Sequence, residues 1–183
     1  MANIRSMFIV LVLCGWAGTV MGAPTVPRLV AGQVLTVDSI RSQTLQLLAR
    51  GQVSEAIEYW ALATGKDAPA WLLAAKAAFE TSKQMAGACQ GVAKNIHTAF
   101  TQLGGKPEFV ELTTKTHFIM FKMPGGKDMR LTETGYHVLV RMNGRAYDAY
   151  TGSAGMPWAE YMSRAGSRLE IKQTVVDTIT RAP

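Results

Sequence analysis

The spacing of apolar residues changes along the chain, from a helical repeat in the first part to the short runs of strands in the second. Between residues 37 and 103, apolar residues recur every three or four positions and glycine or proline separates the repeats, which predicts four helices. The predicted helices run from Val37 to the residue before Gly51, from Ser54 to Thr64, from Asp67 to about Met85, and from Cys89 or its neighbour to Leu103.

Three of these helices have an apolar face that predicts which side is buried. The expected buried positions are Ile40, Thr44, Leu47 and Leu48 in the first helix, Ala56, Ile57, Trp60 and Ala61 in the second, and Val92, Ile96, Ala99 and Leu103 in the fourth. Thr36 or Asp38 is expected to cap the first helix and Ser54 the second, since their side chains can accept from unpaired backbone N–H groups.

After Leu103 the pattern is typical of strands, with one more short helix. The predicted strands are Phe109–Thr113, His117–Lys122, Tyr136–Met142, Arg145–Tyr150 and Leu169–Val175, and the helix is Pro157–Arg164. Asn143-Gly144 separates two of the strands and indicates a two-residue type I′ turn, because both turn positions need positive φ. Helices followed by antiparallel strands predict an α+β domain.

The N-terminus has the composition of a secretory signal peptide. One basic residue, Arg5, precedes the apolar run Met7–Cys14, and small residues follow up to Gly22. The run is too short to span a bilayer of about 30 Å, so no transmembrane segment is expected. We therefore predict a signal peptide at 1–22 and export to the periplasm or the medium. An extended leader at 23–36 and one domain at 37–183 follow, with a helical front at 37–86 and a second part at 87–176 that contains the candidate functional residues discussed below.

Composition excludes several classes of protein. Two cysteines among 183 residues exclude a disulfide-stapled miniprotein and a four-cysteine zinc module. Three histidines without ligand spacing predict no metal, and no cofactor is expected. The net charge of +6 is spread along the chain, which is typical of a solvated surface, so nucleic acid is not the expected partner. Loss of the signal peptide removes Cys14 and leaves Cys89 as the single thiol.

Cys89 lies at a predicted helix start, where unpaired N–H groups and the helix dipole favour a thiolate. Its own N–H could also stabilise an oxyanion. The alternative is that Cys89 is a small buried residue without chemistry.

The hairpin indicates which histidine could serve a thiolate as base. His97 lies eight residues along the same helix, about 12 Å away, too far for contact. If Val140 pairs with Tyr147, then His137 pairs with Tyr150 and Asp148 is its diagonal neighbour on the same face. The opposite face is expected to form a core layer of Tyr136, Val138, Val140, Tyr147 and Ala149. His117 also remains a candidate base. No turn in the sequence places a carboxylate such as Glu111 or Asp128 beside it.

Three segments resemble the papain-fold toxin domains of bacterial polymorphic toxins. They are GACQGVAKNI at 87–96, GYHVLVRMNGRAYD at 135–148 and GMPWAEY at 155–161. The resemblance implies a papain-like fold, with Cys89 as nucleophile, His137 as general base and Asp148 as the acid that orients it. Papain-type enzymes also use a glutamine as second oxyanion donor, and Gln84 and Gln90 are the residues near Cys89 that could take this role.

The resemblance implies an exported toxin or effector with a thiol hydrolase activity, either a peptidase or a glutamine deamidase. Its substrate would be a protein or peptide, and a cognate immunity protein or inhibitor would be a further partner. Two other hypotheses stay open. One is a basic ribonuclease-like toxin that uses His117 and His137 as acid and base; the other is a non-enzymatic binding or immunity-type module in which Cys89 is merely buried.

Overall fold

The computed structural model describes residues 35–180, which form an α+β fold. The predicted signal peptide, most of the predicted leader and residues 181–183 lie outside this range. The described helices are α1 Val37–Ala49, α2 Val53–Thr64, α3 Ala70–Ala78, α4 Cys89–Gln102 and α5 Trp158–Arg164. The described strands are β1 Glu108–Thr113, β2 Ile119–Lys122, β3 Asp128–Thr132, β4 Tyr136–Met142, β5 Arg145–Tyr147, β6 Met156–Pro157, β7 Ala165–Gly166 and β8 Lys172–Val176.

Two antiparallel sheets organise the second half of the chain. The larger sheet has the strand order β6-β5-β4-β1-β8, and the smaller sheet has the order β3-β2-β7. Strand β4 lies at the centre of the larger sheet and pairs with every residue of β1, Glu108 opposite Arg141 and Thr113 opposite Tyr136. Because β4 is central and its side chains are almost all buried, residues on it have fixed positions.

The larger sheet packs on both faces. One face, with Val138, Val140 and Tyr147, contacts the helices α1 to α4. The other face, with Leu112 and Leu139, contacts the smaller sheet and α5. The predicted core layer of Tyr136, Val138, Val140, Tyr147 and Ala149 is confirmed. Within residues 35–180, no helix has the length and apolar character needed to cross a membrane.

The predictions for α1 and α4 are confirmed. In α1 the buried residues are Ile40, Thr44, Leu47 and Leu48, and the Thr36 hydroxyl caps the helix by accepting from the N–H of Ser39 at 3.2 Å. Helix α4 begins at Cys89, and Val92, Ile96, Ala99 and Leu103 are buried. The apolar residues of α1 and α4 are regularly spaced, and a capping residue or a glycine marks an end of each helix. The local sequence is therefore enough to predict both helices.

The predictions for α2 and α3 need correction. Gln52 occupies the N-cap of α2 instead of Ser54, and the buried residues are Val53, Ala56 and Tyr59. Trp60 lies at the margin of the core and is therefore only half-buried. Its ring packs edge-on against Trp71. Helix α3 ends at Ala78 rather than near Met85, and a 3₁₀ turn follows at Thr81–Lys83. That turn is exposed, so a longer helix would bury no apolar face there.

Strand prediction was right for β4 and close for β1, but it was wrong for other strands and missed the two-residue strands β6 and β7. β2 begins at Ile119 rather than His117, and β8 is displaced to Lys172–Val176. Strand β3 was not predicted because its solvent-facing residues break the apolar pattern. It forms by pairing with β2.

The hairpin of β4 and β5 has the predicted turn and register up to Tyr147. Val140 pairs with Tyr147 and Met142 with Arg145, and Asn143 and Gly144 have φ of 51° and 72°. The predicted pairing of His137 with Tyr150 is wrong, since β5 ends at Tyr147. The chain turns there because the Asp148 carboxylate accepts from the N–H groups of Tyr150 and Thr151, at 2.9 and 2.8 Å.

Candidate active site

Cys89 is the first residue of α4, at a helix start without a side-chain cap. The N-cap position is held by Ala88, which offers no acceptor, so the first N–H groups of the helix have no capping side chain. The thiol accepts from the backbone N–H groups of Gln90 and Val138 instead. It is only partly buried, so a reagent can reach it. A thiolate here would therefore lie against backbone donors and still be accessible.

His137 lies between Cys89 and Asp148. It is 1% exposed, and its Nε2 hydrogen-bonds to Asp148 Oδ2 at 3.1 Å. Nδ1 is buried and has no hydrogen-bond partner among residues 35–180, and the Cys89 thiol lies close enough to the ring to raise the pKa of His137. The ring is held by its place in central strand β4 and by Tyr150, whose ring meets it edge-on at 6.3 Å.

The Asp148 carboxylate accepts four hydrogen bonds. Oδ1 accepts from the N–H groups of Tyr150 and Thr151, while Oδ2 accepts from His137 and from the Tyr161 hydroxyl, at 2.8 Å. Asp148 is 1% exposed. A buried carboxylate with all its lone pairs occupied has little freedom to rotate, and it can hold the imidazole in a single orientation.

The charges of the three side chains support one another. Burial raises the pKa of the Cys89 thiol, but the hydrogen bond and charge of His137, together with the two backbone donors, outweigh burial and hold that pKa below its usual value. Burial lowers the pKa of His137, and its contacts with Asp148 and Cys89 outweigh this and raise it to about 9. Burial also raises the pKa of Asp148, which His137 brings below its ordinary value. Each of these shifts favours the charged form of its side chain: the thiolate of Cys89, the imidazolium of His137 and the carboxylate of Asp148.

Tyr161 is a site residue that sequence reasoning missed. It lies in α5, is fully buried and donates to Asp148. Burial, the charge of Asp148 and the hydrogen bond to it raise its pKa well above the usual value, so it stays a neutral donor. The available signal was a tyrosine on a short helix after the hairpin, and nothing in the sequence places that helix against Asp148.

The two glutamines occupy different places beside Cys89. Gln84 Nε2 donates to the carbonyl of Ala149 at 2.9 Å, which ties its carboxamide to the residue after Asp148. Gln90 lies in the first turn of α4. Each amide has N–H groups that could donate to an oxyanion, and the bond to Ala149 fixes the carboxamide of Gln84.

A groove of about 160 Å³ opens beside the thiol, and we refer to it as the thiol groove. It is lined by Ala86, Gly87, Cys89, Gln90, Thr132, Glu133, Thr134 and Tyr136. The loop after β3 thus forms one wall and the start of α4 the other. The groove offers room beside Cys89 for a short extended segment of a substrate.

The other predicted chemistry residues lie apart from this cluster. His97 stacks on Phe109 with ring centroids 4.0 Å apart, and His117 is exposed with its ring near Phe118. Glu111 accepts from the Tyr136 hydroxyl at 2.8 Å, and Asp128 is in register with Lys122 at the end of the smaller sheet. None of the hydrogen bonds among the described residues joins His117 to His137, and no group of three or more metal-ligating side chains is found in that part of the chain.

Comparison of the chain with family models, curated proteins and solved structures gave no match. Function is therefore argued from the side chains around Cys89 and from the sequence resemblance.

Proposed function

We propose that the protein is a papain-like thiol enzyme that transfers an acyl group from an amide through a thioester on Cys89. One observation carries the proposal: an accessible thiol with a lowered pKa lies beside a buried imidazole whose other nitrogen is held by a buried carboxylate. A cysteine kept only for packing would need neither the histidine nor the aspartate. A buried ionic pair of this kind is costly to maintain unless its charges are used.

In the first half of the reaction, the Cys89 thiolate attacks the carbonyl carbon of the amide and forms a C–S bond. The carbonyl oxygen becomes an oxyanion. The imidazolium of His137 gives its Nδ1 proton to the leaving nitrogen, the C–N bond breaks, and an amine or ammonia departs. Asp148 keeps Nε2 protonated and the ring oriented throughout.

In the second half, water attacks the thioester carbonyl. Neutral His137 takes a proton from the water at Nδ1, and the new C–O bond replaces the C–S bond. The products are a carboxylic acid and the Cys89 thiolate, so the imidazolium and thiolate of the starting state are restored. An amine in place of water would give a new amide by the same steps.

The oxyanion would be stabilised at the uncapped start of α4. The N–H of Cys89 is one donor, and the carboxamide of Gln84 or Gln90 is the second. Removing one such donor in related chemistry typically costs about 100- to 1000-fold in turnover.

The papain-like assignment rests on chain order and placement. Cys89 on a helix start precedes His137 on a central strand, and Asp148 follows on the return of the hairpin, as the resemblance implies. The proposal extends to the setting. The protein is exported by its signal peptide and acts as a toxin or effector on a protein or peptide, as a peptidase or glutamine deamidase, and an immunity protein or inhibitor restrains it.

The test is the rate of thiol labelling by iodoacetamide in the folded protein as a function of pH. We expect rapid labelling of Cys89 near pH 6, where an ordinary thiol with a pKa near 8.5 reacts slowly. His137→Gln should slow labelling near that pH at least about tenfold, because the imidazolium is lost. His97→Gln is the matched control and should label at the wild-type rate.

Labelling only after denaturation would contradict the proposal and indicate a buried thiol. Activity is then measured on peptide anilides and as ammonia release from glutamine-containing peptides, with Cys89→Ala as the blank. Full activity in Cys89→Ala would also contradict it, and ribonuclease activity that survives in Cys89→Ala would favour an acid–base pair of histidines.

A further inference from the structure

A second groove lies on the outer face of the smaller sheet, and we refer to it as the arginine groove. Its volume is about 770 Å³, and its lining includes Thr116, His117, Phe118, Met120, Arg130 and Arg168. Phe118 and Met120 are 46% and 38% exposed, unusual values for large apolar side chains that point away from a core. The function of the Cys89 cluster does not explain this surface.

The lining combines apolar surface with positive charge. The Arg130 guanidinium lies over the Phe118 ring, 4.5 Å from its centroid, and pairs with Glu133 at 2.7 Å. Arg168 is exposed and is in no ion pair among residues 35–180. None of the lining residues carries a carboxylate. The groove therefore complements a ligand that has both an apolar side chain and a negative charge.

The arginine groove adjoins the thiol groove through a shared wall. Arg130 lines the former and its partner Glu133 lines the latter, three residues further along the chain. Two residues after Glu133, the N–H of Gly135 donates to the carbonyl of His117 at 2.8 Å. This bond holds the segment of Glu133 against a segment that lines the arginine groove. The Arg130–Glu133 ion pair thus joins the linings of the two grooves, so an extended peptide bound at Cys89 can continue into the arginine groove.

We propose that the arginine groove binds an acidic side chain of the substrate peptide, near the amide that Cys89 attacks. This inference rests on the proposed function for its choice of occupant. Arg168 pairs with the carboxylate, and Phe118 and Met120 receive a neighbouring apolar side chain. The substrate class is thus an extended peptide with an acidic residue near the reacting amide, rather than any accessible peptide.

Binding is measured first, in full-length Cys89→Ala protein, so that catalysis plays no part. The probes are fluorescein-labelled hexapeptides with two Leu and two Glu residues, and the same peptides with Gln for Glu. We expect the Glu peptide to bind about five- to tenfold more tightly at low salt, the range of one charge-assisted contact. Arg168→Gln should remove that difference, and Arg41→Gln on α1, an exposed position with the same change of charge, should preserve it.

Protection of Cys89 is measured second, in the wild-type protein. The Glu peptide should slow iodoacetamide labelling of Cys89, and Arg168→Gln should abolish this protection, whereas Arg41→Gln should retain it. Equal binding of the Glu and Gln peptides, or equal weakening by Arg41→Gln, would show the inference to be wrong while leaving Cys89 reactive. Tighter binding of a hexaribonucleotide than of the Glu peptide would overturn it too. A thiol that iodoacetamide does not label would refute the proposed function, and the binding experiment would still test the groove.

Discussion

Tyr161 donates a hydrogen bond of 2.8 Å to Asp148 Oδ2, the same oxygen that accepts from His137 Nε2 at 3.1 Å. The hydroxyl and the imidazole thus share one carboxylate oxygen, while Oδ1 is held by two backbone N–H groups. Tyr161 is fully buried and so can stabilise the negative charge of Asp148 without solvent screening. Tyr161 is a positioning residue, since it acts on His137 through Asp148.

Tyr161→Phe should destabilise the protein by about 2 kcal/mol near pH 7, the cost of a lost hydrogen bond to a buried charge. Folding lowers the pKa of Asp148, so its contribution to stability is present above its ordinary pKa and lost as the pH falls. The effect of the substitution should therefore shrink near pH 3. Urea unfolding at the two pH values measures it.

Tyr150→Phe is the matched control, because Tyr150 donates to the neutral carbonyl of Arg130 at 2.9 Å. Its loss should cost about 1 kcal/mol at either pH. If the two substitutions show the same pH dependence, Tyr161 has no special relation to the charge of Asp148.

Asp148→Asn should lower the pKa of His137 from about 9 to below its ordinary value of 6.5. Burial still lowers the pKa of the imidazole in this variant, and the charge of Asp148 no longer raises it. Titration of the imidazole signals by NMR measures this change. Because folding raises the pKa of His137, its contribution to stability is fully present below 6.5 and lost as the pH rises through about 9. The wild-type protein should accordingly lose stability over that interval, and Asp148→Asn should not.

A wild-type midpoint near 6.5 would mean that the ion pair with Asp148 and the interaction with Cys89 do not raise the pKa of His137. The labelling rate of Cys89 near pH 6 gives an independent check, because a neutral His137 no longer favours the thiolate. Asp148→Asn should reduce that rate, whereas Asp128→Asn at the far end of the smaller sheet should leave it unchanged.

Gln84→Ala should lower turnover by about 100-fold if the carboxamide is the second oxyanion donor, with little change in the labelling rate of Cys89. Gln90→Ala is the comparison, since Gln90 lies in the first turn of α4 directly after Cys89, and it should have the smaller effect if Gln84 is the donor. The measurement is turnover on whichever amide substrate shows activity. The reverse ranking of the two variants would assign the role to Gln90.

Gly135→Ala should destabilise the protein by about 3 kcal/mol, more than a simple loss of glycine freedom. Gly135 has φ of 71°, and a Cβ there would collide with the backbone carbonyls of Thr114 and Thr116. Gly144→Ala is the control, since Gly144 has φ of 72° and open space around the same position. It should cost about 1 kcal/mol. Thermal unfolding compares them, and equal losses would show that the contact at Gly135 relaxes.

Local sequence was sufficient for the parts of the fold with their own start and stop signals. The cap at Thr36, the apolar faces of α1 and α4, and the turn at Asn143-Gly144 depend on neighbours within a few residues. The same local signals placed Cys89 at a helix start and put His137 and Asp148 near each other. A helix start and the register of a hairpin depend on residues within one helical turn or one strand pair, so the local pattern of the sequence is enough to predict them.

Elements that depend on distant partners could not be derived in this way. Strand β3 has a weak pattern of its own and forms by pairing with β2, and α3 is shorter than predicted because the turn at Thr81–Lys83 is exposed. Strand β5 ends at Tyr147, and directly after it the Asp148 side chain accepts from the N–H groups of Tyr150 and Thr151 in a local turn. A single side chain here accepts hydrogen bonds from the backbone N–H groups of the residues that follow it, and the hydrophobic periodicity of the sequence gives no sign of such bonds.

The sequence by itself thus determined one thiol at a helix start and a histidine and aspartate on one hairpin. Only the tertiary structure decided that these three meet, that Tyr161 from α5 holds the carboxylate, and that Gln84 reaches Ala149 across 65 residues. The physical reason is that pKa values and hydrogen bonds at the site depend on burial and on contacts between segments far apart in the chain. These exist only once both faces of the larger sheet are packed.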